Sequence, residues 1–268
     1  MSDSSTRVCI DATPLDTSHR FRGIGTYTAG LLKGLEGCEQ KPPIIQLRIG
    51  NGQEIGISSM ETLKIYRPAW PRTRLRWMLN EVLSPREIKK TKAMLFHATD
   101  PRSIPKKRGF SLIATAYDLI PLAFEDYYAR FYPWDERLSY RRSLQRFREA
   151  DHLIAISDAT KKDLVHYLDL DPDKITVIPL AYDADLFKPV QRPVPPEYGV
   201  PERFFLYVGA HDRRKNIKYM LSAYAAIENQ VREKFVFAGK LTPRELKDFN
   251  AWIDEFHLNG SVLNLDFV

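Results

Sequence analysis

The chain alternates two kinds of segment, and that alternation restricts its fold more than any other feature. Short runs rich in β-branched and aromatic residues each give way to a stretch with helical spacing, the pattern of parallel strands joined by crossover helices. Residues 7–11 form the first run, and 25–35 follow with Tyr27, Leu31, Leu32 and Leu35 near one helical face. Strands are expected at 44–49, 62–66, 94–97, 112–117, 152–156 and 175–178. Ser157 opens a helix as its N-cap, and Asp158 suits the first turn. Pro189, Pro193, Pro195, Pro196 and Pro201 then crowd one span, and the order restarts with strands at 204–208, 235–238 and 262–268 and helices from 217 and over 243–256. The reading is an α/β chain with a domain over 1–187, a proline-rich linker over 188–203 and a second domain over 204–268.

Composition narrows the class. Hydrophobic residues make up 44% and charged residues 28% of 268 residues, values of an ordinary globular chain rather than a disordered one. The longest apolar runs, such as residues 204–208, fall far short of the ~18 residues needed to cross a bilayer. The polar start Met1-Ser2-Asp3-Ser4-Ser5 has none of the order of a signal peptide. Cys9 lies in the run Val8-Cys9-Ile10 and reads as a small buried hydrophobe, with Cys38 unpaired. The net charge of +6 is uneven: residues 72–92 hold seven basic residues, and residues 130–148 hold six arginines. Both stretches carry large apolar residues, Trp77 and Trp134 among them, and read either as helices with solvated cationic faces or as contacts for an anionic surface.

Several motifs fall where open parallel sheets bind ligands, beyond the carboxyl ends of strands. Arg22-Gly23-Ile24-Gly25-Thr26 precedes the first helix, where glycines allow close approach and the helix N-terminus favours an anion. Thr28 stands where the dinucleotide fingerprint needs a third glycine, which argues against nicotinamide binding. Arg213-Arg214-Lys215-Asn216 lies between a strand and a helix and suits a diphosphate, or else is a solvated turn with Asn216 as cap. His97, Tyr117 and Asp118 end strands and are candidates to position or polarise a hydroxyl. Asp169-x-Asp171, Asp171-x-Asp173 and Asp183-x-Asp185 have the look of metal ligands, but aspartate is common in such turns for conformational reasons. No metal or cofactor is expected.

Taken in order, Arg22–Tyr27, Phe96-His-Ala-Thr-Asp-Pro101, Ala114-Thr-Ala-Tyr-Asp-Leu-Ile-Pro121, Ile156-Ser-Asp-Ala-Thr160 and Val177-Ile-Pro-Leu-Ala-Tyr-Asp183 resemble the first domain of a family 4 glycosyltransferase. Phe205-Leu-Tyr-Val-Gly209 with Arg214-Lys-Asn216 resembles the start of that family's second domain. The flavour is that of bacterial mannosyltransferases building O-antigen and other cell-surface polysaccharides. The resemblance implies a GT-B architecture of two Rossmann-like domains. It implies a nucleotide-sugar donor on the second domain and a saccharide or lipid-linked acceptor on the first, with retention and without a metal. Tyr117, Asp118 and His97 would then be catalytic, and Gly23, Gly25, Arg214 and Lys215 would hold the donor diphosphate. Tyr117 replaces a histidine, and Ala210 an arginine, that many members carry. The family's later E-x-F-G-L-P…E segment is absent before Val268, so the expectation is a fragment inactive by itself. Work at the cytoplasmic face of a membrane, with an anionic surface as partner and no nucleic acid, completes the reading. An epimerase of nucleotide sugars on the same scaffold and a polyanion-binding module, suggested by the pI near 9.2, are the alternatives.

Overall fold

The computed structural model describes residues 6–49, 60–65, 84–106, 109–126, 134–189, 194–209 and 211–266. The chain divides into two compact units, Met1–Phe187 and Lys188–Val268. In the first, strands β1 (Val8–Asp11), β2 (Ile44–Ile49), β3 (Glu61–Ile65), β4 (Leu95–Ala98), β5 (Ser111–Ala116), β6 (His152–Ala155) and β7 (Ile175–Val177) form one sheet. Its order is β3-β2-β1-β4-β5-β6-β7, and every pairing is parallel. Helices α1 (Gly23–Glu36), α2 (Ser84–Lys90), α3 (Ile120–Ala123), α4 (Trp134–Gln145) and α5 (Asp158–Leu168) connect the strands. The order reverses between β1 and β4, so connections leave in opposite directions and open a crevice at the carboxyl ends.

Alternation along the strands feeds two cores. Cys9, Leu47, Phe96, Leu112 and Ala114 point into one, with Ile88, Leu144, Leu164 and Leu168 from α2, α4 and α5. Ile10 and Ile44 point into the other, under Leu32 of α1. Cys9 is buried as expected, and its thiol is pushed up to about 12 by burial and then by the Asp11 charge. Ser157 caps α5 by accepting from the Thr160 N–H, and the helix stops at Asp169, which is left-handed at φ 49°. Replacing Ser157 with alanine leaves that N–H unsatisfied and is expected to cost about 1 kcal/mol in urea unfolding.

The loop from Asp11 to α1 is not open coil. Two short 3-10 turns, Thr13–Asp16 and Ser18–Phe21, fold it back. Gly25 packs on the second of them, where a Cβ would overlap the backbone of His19 and Arg20. Arg48, reaching from β2, forks onto Asp16 with Nε–Oδ1 and Nη2–Oδ1 distances of 3.0 and 2.5 Å, and the pair is buried.

In the second unit, β8 (Phe204–Val208), β9 (Lys234–Ala238) and β10 (Val262–Asn264) pair in parallel in the order β10-β9-β8. Helices α6 (Ile217–Ala225) and α7 (Pro243–Glu255) cover one face through Leu221, Tyr224, Phe235, Phe237 and Phe249. A full capping box between Thr242 and Glu245, with Pro243 at the first turn, starts α7. Gly239 has no room for a side chain, because a Cβ there would run into the Gly209 carbonyl.

Candidate active site at the carboxyl edge

Strands β1, β4 and β5 lie side by side, so their ends bring Asp11, Thr99-Asp100 and Tyr117-Asp118 to one edge beside the start of α1. Asp11 is fully buried. Its Oδ1 accepts from the Thr13 N–H at 3.0 Å and from the Thr13 hydroxyl at 2.7 Å. The Thr99 hydroxyl donates to the Asp11 carbonyl at 2.7 Å, with Oδ2 3.5 Å away. Burial pushes the Asp11 carboxyl up to about 6, helped by the Asp100 charge and opposed by bonds from Ser103 and Thr13.

The Tyr117 hydroxyl donates to the Thr99 carbonyl at 2.8 Å, and the Thr160 hydroxyl of α5 donates to the Tyr117 carbonyl at 2.8 Å. Burial drives the phenol far above its usual range, with Tyr27, Asp100 and Asp11 adding to the effect. Tyr27, reaching from α1, meets Tyr117 edge-on at 5.3 Å. Its hydroxyl lies 3.1 Å from Thr115 Oγ1, which in turn sits 2.8 Å from His97 Nε2. Burial lowers His97 to about 4, so the imidazole is neutral at pH 7. A neutral ring keeps one N–H and can orient Thr115 and Tyr27, but it is not the imidazolium that a general acid needs.

The sequence candidates therefore separate. His97 and Tyr117 belong to one buried network, joined through Thr115 and Tyr27. Asp118 is exposed and its Oδ1 accepts from the Ile120 N–H at 3.3 Å, starting the short α3. Gly23 begins α1 with nothing within 4 Å of its Cβ position, open to a ligand, whereas Gly25 is glycine for packing. Asp11, Thr99, Thr115 and Tyr27 are the members that sequence reasoning passed over as site residues. The one signal for Asp11 was a carboxylate closing an apolar strand.

Arg214 and Lys215 lie in the second unit, in a 3-10 turn between β8 and α6. Asp212 accepts from Arg214 Nε at 3.0 Å and from Nη2 at 2.8 Å, so the guanidinium fork is already engaged. Partial burial works against the Asp212 carboxylate, but Arg214 outweighs it and holds the group below its usual range. Lys215 is exposed and its side chain has no ion pair among the described residues. Asn216 adopts a left-handed φ of 50° ahead of α6 without a capping bond from its side chain, so it turns the chain but is not the cap expected.

The aspartate repeats are turns. Asp171 accepts from the Asp173 N–H at 2.9 Å and Asp183 from the Asp185 N–H at 3.0 Å, and Asp183 also pairs with Lys33 at 2.8 Å. Among the described residues no group of three His, Cys, Asp or Glu gathers as metal ligands, and no helix is long and apolar enough to cross a membrane. Residues 72–83 and 130–133 of the two basic stretches, Trp77 included, lie outside the described residues.

The switch point of an open parallel sheet is where such folds bind ligands, and a second α/β unit follows in the chain. The model of Glycosyltransferase Family 4 matches residues 21–186, and the chain belongs to that family. The serotype-specific mannosyltransferase WbdA of Escherichia coli is 25% identical over 162 residues, 56% of this chain and 19% of WbdA. The matched part is thus about a fifth of that relative. The lipopolysaccharide outer core galactosyltransferase WaaB has a TM-score of 0.62 at 14% identity, over 98% of this chain and 68% of its own. Anabaena HepE in complex with UDP and glucose has a TM-score of 0.65 at 11% identity, over 98% of this chain and 70% of its own. These likenesses show the fold, which is of the GT-B type.

Proposed function

We propose that the protein moves a sugar from a nucleotide-diphosphate donor to a saccharide or lipid-linked acceptor, with retained configuration and without a metal. The observation that carries the donor side is Lys215, an exposed ammonium in the turn ahead of α6, with its neighbour Arg214 clamped by Asp212. A cation beside helix-terminal N–H groups suits a leaving diphosphate, and it replaces the charge that a metal would otherwise bring. The complex of HepE with UDP favours a uridine or similar nucleotide, and the likeness to WbdA favours mannose as the sugar.

In this reading the first unit receives the acceptor at Asp118 and the Tyr117–His97 network, and the open start of α1 at Gly23 suits a phosphate. The Tyr117 proton is committed to Thr99, so the phenol oxygen offers a lone pair to an incoming hydroxyl. The donor phosphate takes that hydroxyl's proton. Residence at the cytoplasmic face of a membrane, held from outside by charge, completes the proposal.

Incubation of the full-length protein with UDP- and GDP-sugars and saccharide acceptors, with and without EDTA, tests it. A product of unchanged anomeric configuration whose formation survives EDTA is the expected result. An epimerised nucleotide sugar with no transfer, or transfer abolished by EDTA, would overturn it.

A further inference from the structure

The amino edge of the first sheet carries a second concavity, at the opposite ends of the strands from Asp11 and Tyr117. Arg7, Met94, Ser111 and Asp151 stand side by side there, at the starts of β1, β4, β5 and β6. The Met94 N–H donates to the Arg7 carbonyl at 3.0 Å, the Ser111 N–H to Met94 at 2.8 Å and the Asp151 N–H to Leu112 at 2.9 Å. An open groove of about 1120 Å³ runs over this edge, lined by Lys89, Lys92, Met94, Lys106, Ser111 and Asp151 among others. Lys89 lies across Gly109, where a Cβ would stand 2.9 Å from its Cε and 3.1 Å from its Nζ, so its ammonium reaches the loop that bears Lys106.

The charges around the groove are unequal. Lys89, Lys92 and Lys106 are exposed, and none has an ion pair among the described residues. Neighbouring cations are matched: Lys90 pairs with Glu87 at 2.6 Å, and Arg7 has Glu61 at 3.8 Å. Asp151 is the carboxylate in the lining, and its Oδ2 accepts from the Leu112 N–H at 2.7 Å. Met94 stands among the three lysines with 62% of its surface exposed.

We propose that this groove is where the protein meets anionic phospholipid headgroups. The proposal rests on the peripheral-membrane part of the proposed function and not on its chemistry. Pockets for small ligands typically hold about 300–1,000 Å³ and enclose most of the ligand's surface. This groove is larger and open, and its cations are flexible point charges that follow several phosphates at once. Lysine stems and Met94 supply apolar contact beneath the charged heads. Strands of four to six residues separate this edge from the site, about 13–20 Å, so a membrane here leaves the catalytic crevice open. An acceptor anchored in the same bilayer must then extend past the sheet, which a grown saccharide chain does and a bare lipid phosphate does not.

Co-sedimentation of the chain with phosphatidylcholine vesicles, with and without phosphatidylglycerol, tests the groove. Wild type should pellet with the anionic vesicles at low salt and come free near ~0.5 M salt, where the screening length falls to about 4 Å. Lys89→Gln, Lys92→Gln and Lys106→Gln together should weaken binding on the order of 10²-fold, about fivefold per lysine. Arg141→Gln with Arg142→Gln, on the other basic stretch, should retain it. Equal binding of the triple variant and wild type, equal binding to neutral vesicles, loss in the arginine pair instead, or displacement by inorganic phosphate at matched ionic strength would each overturn the proposal. UDP affinity of the same samples, read by calorimetry, should not change in the triple variant. That separates failure of the groove from failure of the donor site.

Discussion

In the full-length protein, Lys215→Ala is expected to lower kcat/KM for sugar transfer by roughly 10² or more, the scale of losing one preorganised charge at a developing anion. The reason lies in how the turn divides its cations. Asp212 takes the Nε–Nη2 edge of the Arg214 guanidinium with both its oxygens, so Arg214 braces the loop and adds little net charge. Lys215 is the next residue, exposed and outside that fork; its charge also steadies Asp212, but it makes no ion pair among the described residues. Arg214→Ala should therefore act mainly by loosening the turn, raising KM with a smaller loss of kcat. Steady-state kinetics with a nucleotide sugar and calorimetric titration of UDP separate the two. Wild-type turnover in Lys215→Ala would move the diphosphate elsewhere and leave the loop a structural turn.

The largest stability effect is expected at Asp11. Its folded carboxyl titrates near 6, above the usual 3.8, so the folded state holds its proton more tightly than the unfolded state. Below about pH 4 both states are protonated and nothing is lost. As pH rises from 4 to 6 the unfolded chain ionises freely while the folded chain must bury a charge, and stability falls. Above 6 the penalty is constant, on the order of 3 kcal/mol. Asp11→Asn keeps an oxygen for the Thr13 N–H and hydroxyl, and its amide meets the hydroxyls of Thr99 and Ser103. The variant should match wild type near pH 4 and exceed it by about 1–3 kcal/mol at pH 7.5 in urea unfolding. Parallel stability–pH curves for the two proteins would show that Asp11 carries no such cost. A carboxylate kept ionised at the strand end against that cost belongs to the site rather than to the core, and Asp11→Asn should lower turnover while it stabilises.

Much of the architecture was legible because it rests on local chemistry. Apolar runs such as 204–208 became strands of the stated extent, and Ser157 capped the helix it preceded, because both depend on near neighbours in sequence. The site was legible in part. Strand ends revealed His97 and Tyr117, since a parallel sheet places its carboxyl ends together whatever the side chains. What Tyr117 and His97 bond to could not be read, because Thr99 and Thr115 sit 18 residues from their partners along the chain. One spacing misled, since Asn216 looked like a side-chain cap and is a left-handed turn; Gly25, read as a phosphate contact, also packs on the backbone of His19 and Arg20. The Asp212 clamp on Arg214 could not be read, because nothing in the string Asp-Arg-Arg-Lys tells which arginine the aspartate will take.

The place of β1 in the middle of the sheet has a consequence for synthesis. Val8 pairs with Ile44 on one side and with Leu95 on the other. The second pairing joins residues 87 positions apart, counting from 8 to 95, so the first strand leaves the ribosome long before its inner neighbour exists. At about 5–20 residues per second that interval lasts several seconds, during which one edge of β1 stays unpaired. Closing so long a loop is the slow kind of step in folding. Asp11 and Thr99 meet only when it is done, so the carboxyl edge cannot take shape until Thr99 has been made, 88 residues after Asp11.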